Sequence, residues 1–149
     1  MSFAEDLSEG KVGEEIVRSV LESSGNFESV WDCSDDTYFQ SKDIDLLGFA
    51  HDGHITKYEV KTDRRAHETG NLVWEQTTSG NIGCLAKSEA DFIMYYLQGN
   101  GRLYCFNTKK MRAFVNRKNQ RLVSMGDNAE GYLLNIKELI RARLLTRIK

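Results

Sequence analysis

An α/β (α+β) sandwich, with a central mixed sheet flanked by helices, is predicted for this chain by three observations. An amphipathic stretch at helical period opens it. Two apolar or alternating runs then flank His51-Asp52-Gly53-His54, and the apolar runs beyond them are interleaved with residues that cap helices.

Val12, Ile16, Val17, Val20 and Leu21 fall on one side of a 3.6-residue wheel, so residues 11–23 read as a helix that Gly25-Asn26 can end. Residues 30–33 form a short candidate strand. Residues 44–50 and 55–63 read as a hairpin, and 71–76 as the next strand. Ser88-Glu89-Ala90-Asp91 has the spacing of a capping box and predicts a helix through Phe92, Ile93, Tyr95, Tyr96 and Leu97. Residues 103–107 read as a strand, Thr108 as the cap of a basic helix to about Asn116, and Asn135 as the cap of a last helix to about Thr146.

The 149 residues contain no proline, repeat or linker-like tract, which predicts one domain spanning 1–149. The first residues lack the basic and apolar regions of a signal peptide, and no stretch has the roughly 18 to 20 apolar residues of a membrane span, so an intracellular, cytoplasmic protein without a membrane partner is expected. Cys33, Cys84 and Cys105 are odd in number, widely spaced and free of CxxC patterns, which predicts reduced thiols.

The net charge of −2 conceals an asymmetry. Residues 1–75 carry 17 Asp/Glu against 7 Lys/Arg, or −10; residues 76–149 carry 5 against 13, or +8. Between Arg102 and Arg121 there are seven basic residues and no acidic one, interleaved with Tyr104, Phe106 and Phe114. Lys109, Lys110, Arg112, Arg117 and Lys118, together with Lys87, are candidates for contact with a nucleic-acid backbone. A solvated helix face with core aromatics accounts for the same pattern.

The acidic half holds the chemistry. Side chains alternate along a strand, so Asp43 and Asp45 share a face, as do Glu59, Lys61 and Asp63. A two-residue turn at Asp52-Gly53 would put Asp45 and Glu59 on opposite sides of the sheet. A three-residue loop, His51-Asp52-Gly53, pairs position 45 with 59 and sets the carboxylates side by side, with Gly53 at the left-handed position. Two like charges opposed in this way call for a counterion.

Mg²⁺ needs only one or two carboxylates beside waters and phosphate oxygens. Asp45 and Glu59 are therefore the candidate ligands of Mg²⁺ or Mn²⁺, with the Val60 carbonyl as a third, and Lys61 is placed to orient an attacking water. On the helix wheel Glu14 lies at the edge of the apolar stripe and can look toward a metal, whereas Glu15 points to solvent. Asp43 and Glu75 remain open between a metal role and a surface role. His51, His54 and His67 lie at the turn or in a polar loop and are assigned no chemistry.

Gly13-Glu14, Asp45 within Ile44-Asp45-Leu46-Leu47, and Glu59-Val60-Lys61 together resemble the PD-(D/E)XK nuclease superfamily, which includes restriction endonucleases and Holliday junction resolvases. The resemblance covers about residues 10–107 and lacks the proline before the aspartate. It implies a restriction endonuclease-like αβββαβ core with a C-terminal helical extension over 108–149. It also implies Asp45, Glu59 and Lys61 as catalytic motif residues, with Glu14 as the helix carboxylate. Residues 69–75, leading on to Ala90-Asp91, further resemble bacteriophage-encoded members, which would act inside an infected bacterium.

The function expected is a metal-dependent endonuclease acting on DNA, structure-selective in the manner of a junction resolvase and then a homodimer, since symmetric cuts need two sites. The alternative is a non-catalytic nucleic-acid-binding or inhibitory protein that keeps the nuclease fold.

Overall fold

The computed structural model describes residues 3–118, 120–126 and 128–149. In chain order the elements are α1 (Phe3–Ser23), β1 (Ser29–Asp32), α2 (Thr37–Gln40), β2 (Leu46–Phe49) and β3 (Ile55–Asp63). Next come α3 (Ala66–Thr69), β4 (Asn71–Thr78), β5 (Asn81–Ile82), α4 (Cys84–Lys87), β6 (Phe92–Leu97) and β7 (Arg102–Asn107). The chain closes with α5 (Thr108–Arg117), β8 (Val123–Ser124), β9 (Ala129–Asn135), α6 (Ile136–Arg141) and β10 (Thr146–Arg147).

A six-stranded mixed sheet of order β1-β2-β3-β6-β7-β10 forms the centre, as the fold class predicted, with β3 and β6 parallel and the other neighbours antiparallel. β3 alternates between two environments. Tyr58 and Val60 join Val17 and Leu21 of α1 in one apolar cluster. Glu59, Lys61 and Asp63 point the other way, in register with Ile93, Tyr95 and Leu97 of β6, which pack under a second sheet of order β5-β4-β9-β8. Trp74 and Leu72 from β4 and Leu134 from β9 fill that second core.

α1 approaches β3 closely at Gly13. A Cβ there would lie 2.1 Å from the Thr62 hydroxyl oxygen, so only glycine admits this packing distance, and the contact fixes where the next residue, Glu14, emerges. The helix starts eight residues earlier than periodicity indicated. Val12, counted in the apolar stripe, is 54% exposed.

The predicted helix through residues 92–97 is instead the strand β6. Every side chain of Phe-Ile-Met-Tyr-Tyr-Leu is buried or half-buried, on both faces, which is the signature of a central parallel strand. Its capping-box residues serve tertiary structure. Asp91 exchanges bonds with Lys57 of β3, its N–H donating to the carbonyl at 2.8 Å and its carboxylate accepting the Lys57 N–H at 2.8 Å. The crossover from β3 to β6 runs through α3, β4, β5 and α4; the strand expected at 71–76 is part of β4, which lies in the second sheet.

At the C-terminal side, Asn107 rather than Thr108 caps α5, its side chain accepting the Lys110 N–H at 3.0 Å. Asn135 caps α6 as expected, accepting from Glu138 at 3.0 Å, although that helix ends at Arg141. The extension thus supplies helices and, in addition, strands to both sheets. Among the described residues no helix is long and apolar enough to cross a membrane, and all three cysteines are free.

Candidate active site

The hairpin that carries the carboxylates has the three-residue loop. Leu46 pairs with Tyr58 and Phe49 with Ile55, a register that sets position 45 opposite 59. Ala50 and His54 close the loop, with the His54 carbonyl accepting the Ala50 N–H at 2.9 Å and Ala50 accepting from Gly53 at 3.0 Å. Gly53 has φ +88°, and the Asp52 side chain accepts the His54 N–H at 3.0 Å, so the turn chemistry of Asp-Gly sets the register.

Asp45 is anchored at the start of β2. Its N–H donates to the Tyr58 carbonyl at 2.8 Å, and its Oδ2 accepts the Val60 N–H at 2.8 Å. Burial, with the charges on Glu14 and Asp43, raises its carboxyl to about 6 against that bond and the Lys61 ammonium. Glu59 is only 5% exposed, and its Oε2 has no hydrogen-bond partner. Burial raises Glu59 to about 8. The Lys61 ammonium and the Ser88 hydroxyl act in the opposite direction, and Asp45 and Asp43 add to the rise.

Lys61 faces this pair from the next position on the same side of β3. Burial lowers its pKa, but Cys84, Glu75 and Glu59 outweigh that and hold it above the usual lysine range. Cys84 is a neutral thiol, pushed up to about 11 by burial, and donates to Glu75 Oε2 at 3.3 Å.

Glu14 stands on α1 near enough for its charge to raise Asp45. Its carboxylate lies 3.5 Å from Lys11, and burial raises its pKa more than Ser34 and Lys11 lower it. Glu15, as the wheel indicated, is exposed.

Asp43 departs from the strand reading. It follows α2 in a turn with φ +54°, unusual for a non-glycine residue, and so precedes β2 instead of extending it. Its backbone carbonyl accepts the Ser88 hydroxyl at 3.1 Å, and its carboxylate lies 3.6 Å from the Lys87 ammonium. Burial raises its pKa, opposed by Lys87 and Lys61.

Lys87 therefore stands at the rim of the carboxylates. Beside it runs a groove of about 620 Å³ lined by Lys57, Lys87, Lys109 and Arg112. Arg112 spends its guanidinium on the Ser88 carbonyl, at 2.8 Å, and Lys118 pairs with Glu138 at 2.8 Å. Lys110 and Arg117 are exposed on α5. Sequence reasoning had not assigned Ser88 or Cys84 a place here. Cys84 lies in no local motif, and Ser88 opens one that points to a helix cap; both arrive through the crossover.

Among the described residues no three His, Cys, Asp or Glu side chains form a group able to hold a metal by themselves. The buried, unpartnered Glu59 Oε2 beside Asp45 does fit Mg²⁺ or Mn²⁺, which accept two carboxylates and complete their shell with carbonyl, water and phosphate oxygens.

No family model matches the chain, and no curated protein matches it in sequence. The fold is similar to that of a bacterial homing endonuclease, I-Ssp6803I. The two share 18% identity at a TM-score of 0.51, over 91% of this chain and 92% of the other. The chain thus has the fold of a solved endonuclease.

Proposed function

We propose that the chain is a metal-dependent endonuclease of the PD-(D/E)XK type that hydrolyses DNA phosphodiester bonds. The observation that carries this reading is the pairing of Asp45 with Glu59 in the buried face of the hairpin, with Lys61 one strand repeat on and Glu59 Oε2 lacking a partner. Two like-charged acids with raised pKa values are unfavourable as mere structure. The fold shared with a homing endonuclease supports DNA as the substrate.

Asp45, Glu59 and the Val60 carbonyl would hold Mg²⁺ or Mn²⁺, which when bound would supply a Lewis acid and lower the pKa of water. Asp45 and Glu59 would hold the ion as carboxylates, each having given up its proton. Lys61 hydrogen-bonds the attacking water and offsets charge on the phosphoryl oxygens. Glu14 would steady a second ion or its water shell. Lys87, Lys109 and Lys57 hold the backbone along the adjoining groove, with Lys110 and Arg117 further out on α5. A homodimer would supply the second site for paired cuts in a branched substrate.

The test is incubation with plasmid, linear, single-stranded and four-way-junction DNA, and with RNA, in Mg²⁺ or EDTA. Wild type should cleave DNA only with the metal, and Asp45→Asn and Lys61→Ala should each lose about 10²-fold or more in rate. Cleavage that survives both substitutions removes the site assignment. Metal-independent binding that Glu59→Gln leaves unchanged, without cleavage, favours the non-catalytic alternative.

A further inference from the structure

β3 carries Lys57, Glu59 and Lys61 along one face, and the groove lined by Lys57, Lys87 and Lys109, with Glu89 and Asp91 beside them, lies toward the start of the strand. A second cleft, of about 410 Å³, opens at its other end. It is lined by Lys61 and Glu75 and, beyond the strand, by Arg64 and Arg65, with Tyr95 at its side. The two clefts flank the carboxylate cluster, one at each end of β3.

The acidic groups in this second cleft are already engaged. Asp63 Oδ1 accepts the N–H groups of Arg65, at 2.7 Å, and of Ala66, at 2.9 Å, and Asp63 Oδ2 accepts the Tyr95 hydroxyl at 2.5 Å. Glu75 accepts the Cys84 thiol and faces Lys61. Arg64 pairs with Glu9 at 3.0 Å. Arg65 is exposed, and among the described residues its guanidinium has no carboxylate partner. The Arg65 guanidinium is thus the planar fork at the cleft left open to a phosphate, beside carboxylates that are held by neutral donors.

We propose that this cleft is a phosphate-binding subsite for the nucleic-acid strand on the far side of the cut from the Lys87 groove, with Arg65 as its cation. It rests on the nuclease reading of the neighbouring site. Four peptide steps lead from Lys61 to Arg65, at most about 14 Å of chain. The phosphate held by Arg65 therefore lies on the same stretch of strand as the one at Lys61, the reach of the two side chains adding to that chain length. DNA then runs along β3, gripped at both ends with the carboxylates between.

The test is the affinity of a labelled duplex oligonucleotide, followed by fluorescence anisotropy at several salt concentrations with Ca²⁺ replacing Mg²⁺. Arg65→Glu should weaken binding about tenfold. Arg65→Ala should reduce the slope of log affinity against log salt by about 1, and Arg65→Lys should restore most of the affinity. The control is Arg18→Glu on α1, across the sheet, where Arg18 pairs with Glu22. Unchanged affinity and slope in the Arg65 variants, or an equal loss in Arg18→Glu, overturns the subsite. Wild type that binds but does not cleave, with binding still sensitive to Arg65→Glu, overturns the nuclease reading and leaves the subsite standing. Cleavage by wild type with normal binding by Arg65→Glu does the reverse.

Discussion

Asp45 stands opposite Glu59 across the β2–β3 hairpin, and the strand pairing that sets them there also satisfies Asp45, whose carboxylate accepts the Val60 N–H at 2.8 Å. Glu59 has no comparable bond at its Oε2. The pair is thus asymmetric, one acid tethered to the backbone and the other held with an open oxygen in a buried position.

This asymmetry gives stability an uncommon pH dependence. Asp45 at about 6 and Glu59 at about 8 bind protons more tightly in the folded chain than in the unfolded one, where ordinary values near 3.8 and 4.5 apply. The folded state then holds more protons between those limits, and stability falls as pH rises from about 4 to about 8. Without added metal, the melting temperature should be higher at pH 5 than at pH 8.5. Glu59→Gln should flatten the decline, with a gain of about 2–4 °C for each kcal/mol recovered at the higher pH. Mn²⁺ should raise the wild-type melting temperature at pH 8.5 and leave Asp45→Asn nearly unmoved.

Gly13→Ala should destabilise the protein by about 1–3 kcal/mol in urea unfolding, because the added methyl would sit 2.1 Å from Thr62 Oγ1. Combining it with Thr62→Ala should recover much of the loss, a coupling that distant sites do not show. If the single variant also cuts more slowly, displacement of Glu14 is the physical link.

Gly53→Ala places a side chain at φ +88° in the loop that sets the register. A cost of about 1 kcal/mol or more is expected, with Gly53→Asn milder because asparagine tolerates left-handed backbone. Open space surrounds Gly53, so the cost is conformational.

Tyr95→Phe should cost about 1–3 kcal/mol. The Tyr95 hydroxyl donates to Asp63 and accepts the Val73 N–H at 3.1 Å, joining β6, the end of β3 and the second sheet at one oxygen. Thermal melts of the variant with and without Asp63→Asn measure whether the loss belongs to that bond.

Local patterning determined much of this protein. Asp52-Gly53 specifies a turn but leaves two registers open; the three-residue loop that the structure adopts lets side-chain alternation bring Asp45, Glu59 and Lys61 to one face, while the helical wheel separates Glu14 from Glu15. Tertiary structure alone decided what lies around them. Residues 92–97 became a strand because both faces of that apolar run found cores to enter, overriding a capping-box signal that Asp91 spends on Lys57. Asp43, Glu75, Cys84, Ser88 and Lys87 gather at the site through a turn and a long crossover. Local sequence periodicity carries no record of contacts made between segments that meet only when the second sheet closes over the first.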